Sequence, residues 1–429
     1  MVLVYVWRVQ DLLSPLGAAK PGIVVTGVVV VLAMLDGPVL ARLNAFTTWT
    51  PARFALLMGM LAIGFAPWSL FPKLSLSMAG KDLMPAIALM GLLAASIREP
   101  RDVYRFVAVE VLGAVVFAGV VLTRYHVGPN GRLGSLVYYD ANDLGMFLVC
   151  TLPLADWWRR RARHFAVRLA AAAAIAVLLV TIIRTGSRGA FLGLLAVVLY
   201  AVIGYRSVPL ARRVAMAAVC AGLLALAAGT TYWATMDTIL HPTSDYNWIG
   251  NAEGGRMDVW RRGIGYMMHR PVTGVGLGAF PVAEGTLSPL ASQQQWGVGV
   301  KWSVAHNSFV QAGAELGVLG LAAFVGLLAS AFRLARRTAA FGRATGDESV
   351  SALGDALCAT FVGYAVAGFF LSQAYAAYLF VMVGIALGLA RAVSVGDAAP
   401  AVATDREAPR IAAGRTDAPP SLEWLRDQP

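Results

Sequence analysis

Long apolar runs recur eleven times along this sequence, at about 22–39, 53–70, 83–97, 104–122, 142–157, 166–183, 189–204, 212–233, 307–332, 352–371 and 374–391. An α-helix rises 1.5 Å per residue, so runs of this kind are long enough to cross a hydrocarbon core roughly 30 Å thick. The spacing of polar residues agrees, because only 14% of the chain is charged against about 25% in soluble domains. A water-soluble surface cannot be built from so little charge. The expected fold is all-α, a polytopic membrane helical bundle. A weaker run over residues 2–18, interrupted by Arg8 and Asp11, brings the expectation to about twelve transmembrane helices. Fibrous, disordered and disulfide-scaffold classes are excluded.

The net charge of +11, from 35 Lys and Arg against 24 Asp and Glu, does not call for nucleic acid. Basic residues gather in the cytoplasmic loops of membrane proteins. Here Arg98, Arg101 and Arg105 follow the third clear run, and Arg159, Arg160, Arg161, Arg163 and Arg168 follow the fifth. Arg206, Arg212 and Arg213 follow the seventh, and Arg333, Arg336, Arg337 and Arg343 the ninth. The clusters fall on every second loop, which puts those loops and both chain ends in the cytoplasm. Cys150, Cys220 and Cys358 stand far apart in apolar runs, with neither metal-ligand spacing nor an evident disulfide pair. The first residues, MVLVYVWRVQDLLSPLG, lack the basic start and small-residue cleavage site of a removable signal peptide.

The bundle therefore occupies residues 1–391. Residues 392–429 are rich in Ala, Pro and charge, and read as a disordered cytoplasmic tail. Residues 234–306 form one long loop on the outer face, of a length that is usually functional when ordered. Within it, residues 256–269 read as an amphipathic helix, with Met257, Trp260, Ile264 and Met267 on one face. Asp258, Arg261, Arg262 and His269 lie off that face; Gly254 and Gly255 precede the helix and Pro271 ends it.

Charge at the mouth of an apolar bundle is expensive, which makes Arg184 and Arg188, four residues apart, candidates for function. Guanidinium groups bind phosphate oxygens in a bidentate fork; equally, both arginines could reach lipid headgroups as helix-end anchors. Arg256 opens the surface helix and carries the same two readings. His306 and Asn307 stand where a spanning run begins. A histidine there either caps the helix or, near arginines, serves as a general base. Glu315 lies nine residues deeper, roughly 13 Å along a helix, and is expected to hydrogen-bond a neighbouring helix. Gly313 and Gly317 read as a close-packing pair. GVGLG at 274–278 lacks the strand that precedes a phosphate loop and reads as a turn. Asp140 and Asp143 want a third ligand for a metal site, so Asn142 and Asp143 read as a helix N-cap.

His306-Asn307, nine residues, Gly317, two residues and Gly320 resemble the motif of the O-antigen ligase and polymerase superfamily. SRGAFLGLL, with Arg188, and GGRMDVWRRGIGYMMHRPVTGVGLGAF, with Arg256, resemble the same family's arginine motif and outer-loop helix. The resemblance spans residues 140–390. It implies an inner-membrane glycosyltransferase, active on the periplasmic face, that moves a glycan from undecaprenyl diphosphate to a hydroxyl without metal, cofactor or nucleotide sugar. By that resemblance Arg188, Arg256 and Arg184 hold the diphosphate, His306 accepts the proton, and Asn307 and Glu315 support them. The partners implied are the undecaprenyl-diphosphate-linked glycan, a lipid or glycan acceptor and membrane lipids, with no nucleic acid. Ligase and polymerase share these motifs. A lipid-linked glycan transporter or flippase is the rival from another class.

Overall fold

The computed structural model describes residues 2–8, 21–35, 39, 42–43, 46–128, 131–134, 139–241, 255–291 and 303–393. The tail beyond residue 393 and most of the weak run at 2–18 lie outside them; of the latter, a single helical turn, Val2–Tyr5, is described. The described residues are all-helical, with one isolated β-bridge between Val127 and Leu133. In chain order the helices are α1 Pro21–Leu35, α2 Thr50–Gly64, α3 Pro72–Ser96, α4 Pro100–Arg124, α5 Ala141–Arg161, α6 Phe165–Thr185, α7 Arg188–Gly204, α8 Leu210–Ala227, α9 Thr230–Asp237, α10 Arg256–His269, α11 Phe280–Thr286, α12 Ser308–Thr345, α13 Glu348–Gly368 and α14 Ala377–Ala392. Every one of the eleven apolar runs contains a helix. Six of the described helices, α3, α4, α6, α8, α12 and α13, are long and apolar enough to cross a membrane, and α2, α7 and α14 are shorter apolar helices.

Local chemistry sets the boundaries. Pro51, Pro72 and Pro100 stand in first turns, where a missing N–H costs nothing. Asp347 caps α13 by accepting the Ser349 and Val350 amides, both at 3.0 Å. The run at 212–233 breaks at Ala228 and Gly229 into α8 and α9. Burial then sorts the helices. α13 and α14 are buried on nearly every face and form the centre. α8 buries only Leu224 and leaves Leu210, Val214, Val219, Leu223 and Leu226 exposed, the pattern of a helix facing lipid.

The arginine clusters meet at one end. Arg161 Nη1 donates to Ser349 Oγ (2.8 Å), Arg343 pairs with Asp355 (3.2 Å), and Ser207 Oγ donates to the same carboxylate (2.8 Å). Three loops that the alternating pattern assigned to one side are thus joined by side-chain contacts.

Gly313 and Gly317 are closely packed, since a β-carbon would stand 2.7 Å from Met267 Sδ at the first and closer still to Pro271 O at the second, but Gly317 does more than pack. Gly317 breaks α12 with φ 72° and ψ −170°, a conformation essentially confined to glycine. The break frees carbonyls that a helix would otherwise use, and the turn after α10 takes them up. Val275 N donates to Ala314 O (2.8 Å), Gly276 N to Glu315 O (2.9 Å), and Val318 N returns a bond to Pro271 O (2.8 Å). Ser69 and Ser75 hydroxyls hold the far side of the turn through Val275 O (3.1 Å) and Leu277 O (3.0 Å). Irregular backbone at membrane depth survives where protein satisfies it in this way. GVGLG is a turn, as expected, and its function is to splint a broken helix.

Candidate functional site

Three helices begin beside one cavity. α7 starts with Ser187 as N-cap, its hydroxyl accepting the Ala190 amide (3.2 Å), and Arg188 is the first helical residue. α5 starts at Ala141, capped by Asp140, which accepts the Asn142 (2.6 Å) and Asp143 (2.9 Å) amides. The cap is therefore Asp140 rather than Asn142 or Asp143. α10 starts at Arg256 itself. Asn142, Arg188 and Arg256 all line a cavity of about 370 Å³, within the roughly 300–1,000 Å³ of small-molecule sites. The positive ends of three helix dipoles thus lie close to the same space.

A third arginine joins them. Arg132 lines the cavity and donates from Nη2 to Asn142 Oδ1 (2.8 Å). Its segment is tied to the end of α6 by Leu133 N donating to Arg184 O (3.1 Å). Gly186 caps α6 in the left-handed region, φ 59°; a β-carbon there would stand 2.7 Å from Arg132 Cγ. Arg188 Nη1 donates to Thr238 Oγ1 (2.7 Å) just beyond α9, and Thr238 in turn donates to Thr235 O (2.8 Å). The lining holds three guanidinium groups and, among the described residues, no carboxylate. α5 and α7 each begin at this cavity and end at the arginine clusters, so the two lie at opposite ends of the bundle.

The sequence candidates fare unequally. Arg188 and Arg256 come together across 68 residues of chain. Arg184 does not join them: its side chain is exposed and absent from the lining, and its tie to the site is its backbone carbonyl. Asn307 caps α12, its Oδ1 accepting the Phe309 (2.9 Å) and Val310 (3.0 Å) amides. His306 precedes it, half-buried, outside the lining itself. Its amide donates to Ser372 Oγ (2.7 Å), in the segment whose Phe370 and Leu371 form part of the cavity wall. Glu315 lies under the turn, accepting the Phe280 amide (3.4 Å) at the start of α11, and so bonds a neighbouring helix as expected.

α10 is helical over the expected residues, but another face packs inward. Val259, Trp260, Gly263 and Tyr266 are buried, while Met257, Ile264 and Met268 are exposed. Trp260 meets Phe369 edge-on at 5.2 Å, which holds the start of α10 against the cavity wall. Arg262 is not on a solvated face. It clasps the buried Glu284 from Nε (2.9 Å) and Nη2 (2.6 Å), with the Tyr266 hydroxyl donating to the same carboxylate (2.7 Å). The Glu284 hydrogen bond raises Arg262 above the usual guanidinium range, and burial raises the Tyr266 phenol. This latch joins α10 to α11.

A family model described as O-antigen ligase matches residues 173–325. Over these residues the chain is similar to the O-antigen ligase family. No curated protein matches the chain. The matched stretch runs from within α6 to just past the break in α12, and so includes Arg184, Arg188, Arg256, His306, Asn307 and Glu315. With six apolar helices of membrane length, this is a multi-pass membrane protein. Arg132 and Ser372 fall outside the matched O-antigen ligase residues. Sequence reading missed both; for Arg132 the available signal was an arginine in a glycine-rich loop on the arginine-poor side of the bundle.

Proposed function

We propose that this protein is an inner-membrane glycosyltransferase of the O-antigen ligase type. It transfers a glycan from undecaprenyl diphosphate to a hydroxyl of an acceptor such as lipid A core, on the periplasmic face. The convergence of Arg132, Arg188 and Arg256 on one cavity carries this reading. As the bond from the anomeric carbon to the diphosphate oxygen breaks, negative charge grows on the leaving group. Fixed cations and helix N-termini in a water-poor cleft stabilise that charge without reorganising. Arginine suits the task because its fork matches two phosphate oxygens at once.

His306 is the general base: its imidazole takes the proton of the attacking hydroxyl as the new glycosidic bond forms, with inversion at the anomeric carbon. No step calls on a metal or a cofactor. Undecaprenyl diphosphate, the spent donor, should bind the purified protein and compete with the intact donor. Undecaprenol, which lacks the charge, should not compete. Equal competition by both lipids would remove the diphosphate site from the proposal.

The periplasmic assignment rests on the arginine clusters at the opposite end of the bundle. A reporter active only outside the cytoplasm should be active when fused after residue 250 and silent after 162 or 340. Activity at 162 would invert the orientation.

A further inference from the structure

We propose that Ser372 is the positioning residue for His306, the hydroxyl that fixes the His306 backbone beside the cavity wall; this rests on the glycosyl-transfer reading above. His306 has φ 48°, a left-handed backbone that among the described residues only one other non-glycine, Arg8, shares. A side chain in that region crowds the following carbonyl, and such conformations persist only where the surroundings impose them. Glycine would adopt it freely, so a histidine at this place needs a restraint from outside its own backbone.

The restraint is visible. Ser372 Oγ accepts the His306 amide at 2.7 Å, across 66 residues. Around it the two segments are sewn together: Ser308 Oγ donates to Leu371 O (2.7 Å) and accepts the Gln373 amide (3.0 Å), and Gln311 Oε1 accepts the Ala374 amide (3.1 Å). Ser308 and Gln311 fix the first turn of α12, and Ser372 alone of the three reaches past the Asn307 cap to His306. The next two residues back along that segment, Leu371 and Phe370, form part of the cavity wall. Ser372 thus ties the backbone of His306 to the segment that forms part of the cavity wall. If His306 relaxed to negative φ, its β-carbon and the ring it bears would swing to a new direction.

The test is steady-state transfer in nanodiscs by the full-length protein, with undecaprenyl-diphosphate glycan and acceptor. Parent is compared with Ser372→Ala, Ser372→Thr, Ser372→Val and His306→Ala. Thr keeps the accepting hydroxyl and Val, of the same shape, removes it. Losing one such hydrogen bond should lower kcat about 5- to 30-fold in Ser372→Ala, with donor KM unchanged and kcat restored in Ser372→Thr. If Ser372→Ala fails to reach the membrane, the Thr and Val pair reads the same hydroxyl. Parent-like kcat in Ser372→Ala or Ser372→Val, with His306→Ala inactive, overturns the positioning role and leaves the glycosyl-transfer reading intact. Parent-like kcat in His306→Ala removes the base, and the positioning role with it.

Discussion

His306→Ala should lower glycan transfer by about 10²–10⁴-fold, the usual contribution of a general base, while the protein reaches the membrane at a normal level. The contrast with a structural role is large. A residue at the start of a helix contributes about 1 kcal/mol when it caps, and the cap of α12 is Asn307, whose Oδ1 accepts two amides. Undecaprenyl diphosphate should still bind His306→Ala, because Arg132, Arg188 and Arg256 line the cavity and His306 does not. Retention of donor binding with loss of turnover is the result that separates base from scaffold. Near-parent rates would make His306 structural.

The second large effect concerns the arginines. Arg188→Lys and Arg256→Lys should each lower kcat by about 10²–10³-fold, the loss seen when one preorganised donor to a developing anion is removed. An ammonium keeps the charge but cannot reproduce the fork, so a substitution that conserves charge is the sharper probe. Arg132→Lys should behave alike. Arg184→Ala should transfer at close to the parent rate, because only its backbone carbonyl contacts the site. Arg261 is the proper control on α10, with 82% of its side chain exposed. Arg262 is unsuitable, since removing it strands the buried Glu284 carboxylate, a loss of roughly 3–5 kcal/mol. Parent-like activity in all three lysine variants would return the arginines to headgroup anchoring.

The contrast between Arg188 and Arg132 explains how much of this site was legible in sequence. Arg188 and Arg256 stand out because charge beside long apolar runs is costly and must be accounted for. Arg132 sits in a polar turn where an arginine needs no excuse, and tertiary contacts with Asn142, Gly186 and the end of α6 bring it to the cavity. The helices themselves were legible, since apolar length reports directly on the membrane. The break at Gly317 was not: the run is apolar on both sides of it, and the reason for the break is a set of hydrogen bonds to residues 271–276. The partner of Arg262 was not legible for a related cause. Helical periodicity separates polar from apolar positions, but it carries no information about a carboxylate 22 residues away.

The most direct measurement is the covalent outcome. Purified protein in nanodiscs receives undecaprenyl-diphosphate glycan and a lipid A core acceptor, with chelator present and no nucleotide, and the products are analysed by mass and anomeric configuration. The expected result is glycan joined to the acceptor with inverted configuration, free undecaprenyl diphosphate in equal amount, and neither from His306→Ala. The contradicting result is an unchanged donor that the same protein, placed in sealed vesicles, carries from one leaflet to the other.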